Sequence, residues 1–371
     1  MPSCAMGFRI GNAMADGVRA LVGTRKGLFI LAGDEHRREW RIDSLALGGW
    51  AVYHAMVDPR DGVVYAAANH LVYGPTVQRS ADDGATWTRS TRWSFPPDTD
   101  VKLDAAWHLT SGHASQPETL WLGGDPGLLF RSDDSGETWH ANTGLLTHPT
   151  RESWIVSAGG LSLHSIQVDP ADANRMFVAI SAAGILRSTD AGETWTPIND
   201  GVLSAYPNPI TYPDVGQCPH KLLLHPALFG RLWQQNHTGV YRSEDYGDSW
   251  TRVDPNGVPS DFGFPLMLDP ADPDAAYVIP EKSYEFHWTD GGRLGVYKTR
   301  DAGKSWQLLD DGLPSPAWTA VLREASASDS QSVYFGTQSG SLFALTEGNQ
   351  WVEAANHLPS ILSVEVTSWP K

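Results

Sequence analysis

A short motif recurs along the chain and constrains the fold more than any other feature of the sequence. Its consensus is [ST]-x-D-x-G-x-[TS]-W, and five copies end at Trp87, Trp139, Trp195, Trp250 and Trp306. Two degenerate copies end at Trp40 and Trp351. Successive copies lie roughly 50 residues apart, a period that indicates repeated supersecondary units.

Each motif has the chemistry of a tight hairpin turn. Its Asp can accept backbone N–H groups of the same turn, and its Gly supplies a positive φ. Its Ser or Thr ties down the returning strand, and its Trp packs against the neighbouring unit. We therefore predict a structural role for the five motif carboxylates, Asp82, Asp134, Asp190, Asp245 and Asp301.

Strand-like runs precede every motif, so each unit is predicted to hold four strands. Pairs of β-branched or aromatic runs, such as MFVAISAAGILRS and LWQQNHTGVYRS, lead into the motifs. Inner strands are predicted further upstream, at YHAMVDP, HSIQVDP, HKLLLHP and FPLMLDP. Four short strands per repeat are typical of a propeller blade. The prediction is an all-β fold, a β-propeller of seven blades, or of six if one degenerate copy is only decorative.

The two chain ends are predicted to share one blade. The first unit, residues 19–40, has only outer strands, and residues 361–369 supply the missing inner strand. Such an arrangement closes the ring without leaving a free strand edge. We predict a single propeller domain over residues 19–371, preceded by a disordered lead-in at residues 1–18.

Charge and cysteine content narrow the setting in which the chain works. The sequence has 43 acidic and 27 basic side chains and a net charge of −16, which disfavours nucleic-acid and anionic-membrane partners. Its two cysteines, Cys4 and Cys218, are too few for a disulfide framework and fit a reducing compartment. There is neither a bilayer-length apolar run nor a secretory signal, so we predict a cytoplasmic location.

The five motif copies resemble the Asp-box, or BNR, repeat of sialidases, of sortilin-type propellers and of photosystem II assembly factors of the Ycf48 type. The same repeat occurs in bacterial proteins described as exo-sialidases or glycosyl hydrolases. The resemblance implies a propeller but leaves the activity open, because one fold hosts unrelated functions. Sialidases also carry an F-R-I-P motif and an arginine triad. This chain has FRIG at residues 8–11 and no arginine triad at matching blade positions, so we expect no sialidase activity.

Aligning the inner strands places ring-bearing side chains at one mouth of the central channel. In three consecutive units, the position five residues before the end of the inner strand is a histidine: His108, His164 and His220. Tyr53 and Phe264 hold the same position in two other units. Repetition of the turns does not by itself require imidazoles at this position.

Converging imidazoles suit a divalent metal ion, so we predict one such ion in the channel and no other cofactor. The predicted ligands are His108, His164, His220 and His54. His54 stands one residue off the repeat position and joins the others only if its strand is bulged; otherwise it faces outward. Two alternatives stay open, a functional pocket without metal and a wet channel in which the histidines bond water and backbone. Cys218 is either a further ligand or nucleophile, or a small buried thiol.

Three polar residues are predicted as catalytic. Glu281 and His237 fall at the ends of second strands, at the same mouth, and Glu281 is assigned as general base. Arg151 lies on a long connection between units, where it either enters the channel or forms a surface ion pair.

Cationic and aromatic residues on that side of the ring are predicted to bind substrate. Arg25 and Lys26 can hold a carboxylate or phosphate, or else are solvated hairpin charges. Aromatic side chains supply walls for a pocket. The full set of predicted substrate-binding residues is Arg25, Lys26, Tyr53, Trp154 and Phe264.

These residues favour an enzyme, a hydrolase or lyase that acts on a small molecule or glycan at the channel mouth. The alternative is a non-catalytic propeller that binds or assembles other proteins. An enzyme would depend on the channel side chains, whereas a binding module would depend on an exposed face. The sequence leaves the oligomeric state open.

Overall fold

A computed structural model describes residues 17–157, 159–204 and 214–368. Within these ranges the strands form seven sheets around a central channel, so the predicted seven-bladed β-propeller is confirmed and the six-bladed alternative is wrong. The FRIG segment and most of the predicted lead-in lie outside the described residues. No helix in the described ranges has the length and apolar character needed to cross a membrane.

The first blade joins the two ends of the described chain. In sheet order its strands are β29 (Ile361–Ser368), β1 (Val18–Thr24), β2 (Gly27–Gly33) and β3 (Trp40–Ala46). Because β1 pairs antiparallel with both β29 and β2, the predicted closure of the ring is confirmed. The pairing leaves β1 and β29 with no free edge between them.

The other six blades follow one another in chain order, each from an inner to an outer strand. Blade two comprises β4 (Ala51–Val57), β5 (Val64–His70), β6 (Gly74–Ser80) and β7 (Thr88–Ser90). Blade three comprises β9 (Ala105–Ser111), β10 (Leu120–Asp125), β11 (Leu128–Ser132) and β12 (Trp139–Ala141), with β8 (Trp93–Ser94) added parallel to β12. Blade four comprises β13 (Leu163–Val168), β14 (Met176–Ile180), β15 (Gly184–Ser188) and β16 (Thr196–Pro197). Blades five to seven comprise β17 (Pro219–Leu224), β18 (Leu232–Asn236), β19 (Gly239–Ser243), β20 (Thr251–Arg252); β21 (Gly263–Asp269), β22 (Asp272–Pro280), β23 (Val296–Thr299), β24 (Gln307–Leu309); and β25 (Ser326–Ser328), β26 (Val333–Gly336), β27 (Leu342–Thr346), β28 (Gln350–Ala355). The described helices are short: α1 (Thr143–Leu146) and two 3-10 turns, Arg151–Ser153 and Asp290–Gly292.

The Asp-box motifs form the turns that join third and fourth strands. The Asp134 carboxylate accepts hydrogen bonds from the Thr138 backbone N–H at 2.9 Å and from the Ser132 hydroxyl at 2.7 Å. Ser135 and Gly136 take positive φ values of 55° and 86°, which the small Gly accommodates without strain. Equivalent bonds form at the other four Asp-box carboxylates, so the predicted structural role of all five is confirmed.

In blades five and six the motif tryptophan ties its blade to the one before it. The Trp250 indole N–H donates to the Ile198 carbonyl at 2.7 Å, and the Trp306 indole N–H donates to the Val253 carbonyl at 2.9 Å. Both rings pack into apolar clusters that lie between neighbouring blades. The core of the molecule is therefore a set of wedges between blades.

Removing one Asp-box carboxylate should weaken the fold measurably. We expect Asp134→Ala to lower the free energy of unfolding by about 1–2 kcal/mol, because several hydrogen bonds to a charged acceptor are lost at a partly exposed site. Urea unfolding followed by tryptophan fluorescence measures the change. Glu137→Ala, in the same turn, is the matched control, and equal losses in the two variants would contradict the structural role.

A β-bulge near the channel mouth recurs in the inner strands. In β4 the pairing jumps from Val52 to His54, which leaves Tyr53 as an extra residue opposite β5. The extra residues in five of the described inner strands are Tyr53, Trp107, His164, His220 and Leu362. A bulge turns consecutive side chains toward one face of a sheet. Tyr53 and His54 accordingly both line the channel, and the outward-facing alternative for His54 is wrong.

The bulges also correct the alignment of the histidines. Trp107, not His108, is the equivalent of His164 and His220. The alignment from the sequence puts His108 one residue away from the true equivalent, because the third unit has one more residue between its bulge and its turn. His108 instead occupies the position that His54 holds in the preceding blade.

Candidate functional site

Two cavities follow one another along the channel of the described structure. The upper one has a volume of about 600 Å³, and aromatic side chains form much of its wall: Tyr53, Trp107, Phe262, Phe264 and Tyr284. The lower one has a volume of about 440 Å³ and is lined by His54, His108 and Lys221. Glu324 lines both cavities and therefore marks the boundary between them.

Glu281 is a buried carboxyl group in the wall of the upper cavity. Glu281 directly follows β22. Its backbone N–H donates to the Phe262 carbonyl at 2.9 Å, which holds the residue at the channel mouth. Glu281 Oε2 lies 3.2 Å from His287 Nδ1, and Oε1 has no hydrogen-bond partner among the described residues. Burial raises the pKa of Glu281 to about 8, so the group keeps its proton at neutral pH.

Glu324 is the second buried carboxylate of this cavity and is held in the opposite protonation state. Its Oε2 accepts from Lys221 Nζ at 2.8 Å and lies 3.3 Å from His108 Nδ1 and 3.8 Å from His54 Nε2. Burial opposes ionisation, but Lys221 and the two histidines outweigh it and hold the pKa of Glu324 well below its usual value. Glu324 Oε1 has no hydrogen-bond partner in the described part of the chain.

A half-buried arginine, Arg323, stands next to Glu324. The Arg323 guanidinium lies 5.8 Å from the Trp107 ring centre and 5.4 Å from that of Phe264, within reach of cation–π attraction, and donates to the Ser181 hydroxyl at 2.9 Å. Burial lowers the pKa of Arg323, yet arginine stays charged in proteins. The cavity thus combines one neutral acid, one carboxylate and two arginines, Arg25 and Arg323, with aromatic walls.

The structure brings several of the predicted site residues together. The predicted residues that line the upper cavity are Glu281, His237, His220, Arg25, Tyr53 and Phe264. Lys26 is exposed beside Arg25 and does not line this cavity, so its predicted place in the site is not supported.

Arg151 and Trp154 are placed elsewhere, which corrects the prediction that they enter the channel. The Arg151 guanidinium donates to the carbonyls of Pro126 and Gly127, each at 3.0 Å. It also lies over the Trp154 ring at 5.0 Å, and that ring is buried in the apolar cluster between blades three and four. Both side chains thus support the turn between β10 and β11, because the carbonyls of this turn accept the hydrogen bonds of the guanidinium.

The four predicted metal-ligating histidines do not form one site. His164 is fully buried and uses both ring nitrogens, at 2.9 Å from the Pro219 carbonyl of the next blade and at 3.1 Å from the Ser165 hydroxyl. Burial first, and the charge of Arg323 second, lower the pKa of His164 well below its usual value. The remaining three histidines fall into two separate groups, His54–His108–Glu324 and Cys218–His220–His237.

Sequence reasoning missed Trp107, Lys221, His287, Arg323 and Glu324. The inner strand of the seventh blade, β25, is only three residues long and lacks the D-P or H-P ending found in four of the other inner strands. The available signal was the charged pair Arg323–Glu324 inside the apolar context of VLREASAS, ahead of the last complete hairpin. Buried charges of this kind are rare unless they are paired or used.

Comparisons with known proteins agree with this architecture. A family model described as sortilin, neurotensin receptor 3, matches residues 183–357. A probable oligoxyloglucan-reducing end-specific xyloglucanase from Neosartorya fischeri is 26% identical over 286 residues, covering 68% of this chain and 33% of that protein. The chain thus spans about a third of the length of that relative.

Two solved structures are similar in fold. A GH74 enzyme from Niastella koreensis superposes with a TM-score of 0.60 at 17% identity, covering 92% of this chain and 55% of that one. YCF48 bound to D1 peptide superposes with a TM-score of 0.53 at 14% identity, covering 88% of this chain and 92% of that one. The resemblance to Asp-box propellers is thereby confirmed.

Proposed function

From the premise that this chain is a seven-bladed propeller of the Asp-box type, we propose that it hydrolyses glycosidic bonds in its upper cavity. One observation carries the proposal: two buried carboxyl groups, Glu281 and Glu324, line the same cavity in opposite protonation states. Each also keeps one oxygen without a hydrogen-bond partner among the described residues. Glycoside hydrolases use two carboxyl groups, whose pKa values are separated by their surroundings, as the general acid and its carboxylate partner.

Glu281 acts as the general acid in this proposal. Its proton moves to the glycosidic oxygen as the bond from that oxygen to the anomeric carbon breaks, and the leaving sugar departs as an alcohol. The general-base role that the sequence suggested for Glu281 is replaced, because a carboxyl with a pKa of about 8 is protonated at neutral pH. His287, 3.2 Å away, is placed to return a proton to Glu281 from solvent.

Glu324 acts as the carboxylate partner. It stabilises the positive charge that develops on the sugar ring and accepts a proton from the water molecule that adds to the anomeric carbon. The reaction then balances: water is consumed, one carboxyl gains the proton that the other loses, and solvent restores both. Lys221 keeps Glu324 ionised before the reaction, with Nζ 2.8 Å from Oε2.

Aromatic side chains support a glycan as the substrate class. Within the wall, Phe264 stacks on His287 with ring centres 5.6 Å apart, and Tyr53 contacts Trp107 at 4.9 Å. Such surfaces bind the apolar faces of ring compounds, while a few polar groups fix their orientation. The similarity to a xyloglucanase makes xyloglucan oligosaccharides the first substrates to test.

The proposal is tested with a panel of oligosaccharides. Purified protein is incubated with xyloglucan oligosaccharides, cello-oligosaccharides and sialyllactose, and new reducing ends are measured. We expect release from a neutral glycan and none from sialyllactose. Binding of a neutral glycan without any release by the wild-type protein would contradict hydrolysis and indicate a carbohydrate-binding module.

A binding or assembly function is the second candidate, and one surface feature favours it. Tyr284, Phe286, Trp288 and Trp318 are between 38% and 63% exposed at the mouth side of blade six. Exposed aromatic groups of this kind mark interaction sites. If this function holds, Trp318→Ser should abolish capture of a specific protein partner, while Glu281→Gln should leave capture unchanged.

A further inference from the structure

A cysteine and two histidines meet at the top of blade five, on the wall of the upper cavity. The Sγ atom of Cys218 and one ring nitrogen each of His220 and His237 lie within 4.8 Å of one another. Cys218 and His220 are buried, and His237 is half-buried. We propose that these three side chains bind one Zn²⁺ ion. The proposal does not depend on glycoside hydrolysis.

The backbone of blade five holds the three ligands together. Cys218 directly precedes β17, His220 is the bulged residue of β17, and His237 lies at the tip of the β18–β19 hairpin. The His237 backbone N–H donates to the Cys218 carbonyl at 2.9 Å and so joins hairpin tip to strand. Sites built on packed strands are more precise than sites on free loops, and here His220 lies on a strand while the hydrogen bond holds the other two ligands beside it.

The hydrogen bonding of His220 suits a zinc ligand. Its Nδ1–H donates to the Gly263 carbonyl of the next blade at 2.6 Å, which fixes the tautomer and leaves Nε2 as the basic nitrogen. Zinc-bound histidines almost always donate their other ring N–H to a carbonyl or carboxylate in this way. The bulge at His220 turns the ring toward the cavity.

The choice of ion follows from the ligand types. A thiolate with imidazoles favours zinc over magnesium or calcium, which take oxygen ligands. Tetrahedral zinc needs ligand atoms roughly 3.3–3.8 Å apart, so small side-chain rotations suffice to close the site. Three protein ligands leave a fourth position that faces the cavity and can take water or a ligand group.

The other group of potential ligands, His54, His108 and Glu324, is not assigned a metal. Lys221 Nζ lies 2.8 Å from Glu324 Oε2, the oxygen that also faces both histidines. An ammonium group at this distance repels a second cation and already neutralises the carboxylate. The predicted channel metal is therefore proposed at a different place, and it keeps only His220 from the original ligand set.

Zinc binding to the full chain tests the proposal. Protein stripped of metal with a chelator is titrated with Zn²⁺ against a chromophoric competitor, and Co²⁺ is used as a spectroscopic substitute. We expect one Zn²⁺ per chain and, with Co²⁺, a near-ultraviolet thiolate-to-cobalt charge-transfer band. Cys218→Ser should abolish that band, while Cys4→Ser, at the only other cysteine of the sequence, should retain it.

A second pair of variants keeps the test decisive if Cys218→Ser fails to fold. His237→Ala, at a hairpin tip, should weaken Zn²⁺ binding by at least roughly a hundredfold, since loss of a ligand costs more than loss of its supporting partner. His113→Ala is the control, because His113 also bonds a carbonyl of the next blade, that of Pro170, but lies outside the proposed site. Sub-stoichiometric zinc in the wild type, or equal affinity in both variants, would overturn the proposal.

Discussion

Glu281→Gln is expected to lower kcat for glycoside hydrolysis by about 10²- to 10⁴-fold while changing KM little. The amide keeps the shape of the carboxyl group and its contact with His287, but it cannot donate a proton to the leaving oxygen. The rate is measured with the best substrate of the oligosaccharide panel. Glu285→Gln, at an exposed carboxylate of the same segment, is the control that should keep the wild-type rate.

The same residue should set the alkaline limit of activity. A general acid must be protonated, so the rate should fall as pH rises through about 8, the pKa to which burial raises Glu281. The titratable and charged groups that line the cavity with it are His220, His237, His287, Arg25, Arg323, Glu324, Cys218, Tyr53 and Tyr284. A rate that is flat from pH 6 to pH 10, or a Glu281→Gln variant with unchanged kcat, would contradict the assignment.

The pH dependence of the free energy of unfolding tests the raised pKa of Glu281 without a substrate. In the unfolded chain this carboxyl loses its proton above its ordinary pKa of 4.5, whereas in the folded protein it keeps the proton up to a pH of about 8. The folded state therefore loses stability, relative to the unfolded one, as pH rises between these values, by about 3–5 kcal/mol. Glu281→Gln should remove this loss and become more stable relative to wild type from pH 5 to pH 8 in denaturant unfolding.

Lys221→Met is expected to lower the free energy of unfolding by about 3–5 kcal/mol at neutral pH. The substitution removes the ammonium group 2.8 Å from Glu324 Oε2 and leaves a buried carboxylate without its cation. Thermal and urea unfolding measure the loss. A loss below about 1 kcal/mol, the range of exposed ion pairs, would show that the pair does not have the predicted burial.

A second substitution should restore most of that stability. In Lys221→Met/Glu324→Gln the buried charge is gone, so we expect the double variant to be more stable than Lys221→Met alone. Acid should also reduce the loss in the single variant, because Glu324 takes up a proton more readily once Lys221, which holds its pKa down, is gone. Glu365, the other carboxyl of the lower cavity, has a pKa that burial raises to about 7, and it loses charge over the same range. Equal instability of both variants would contradict this account.

The sequence predicted the architecture because local chemistry determines it. Each Asp-box turn is specified by residues within eight positions of one another, and each motif tryptophan packs on the adjacent unit. Even the pairing of β1 with β29 followed from a missing inner strand in the first unit. Repetition made these features visible in a single sequence.

The site was less predictable because it depends on register and on distant charges. One bulge decides whether Tyr53 and His54 both face the channel, and an extra residue in the third unit exchanges Trp107 for His108. Glu324 meets Lys221 from a blade 103 residues away in sequence. Arg151 was assigned to the channel because carbonyl acceptors such as that of Gly127 carry no mark in the sequence.

The strand that joins the chain ends also builds the walls of both cavities. Leu362 of β29 lines the upper cavity and Glu365 lines the lower one. Glu365 pairs with Leu21 of β1, and Leu362 is the bulged residue between the paired residues Ile361 and Ser363. Detachment of β29 would therefore open the upper cavity and the charged cluster beneath it together. Loss of an outer strand such as β7, which contributes to neither wall, would spare them. The shape of both cavities and the integrity of the circular assembly should consequently be lost in a single step when the protein unfolds from this junction.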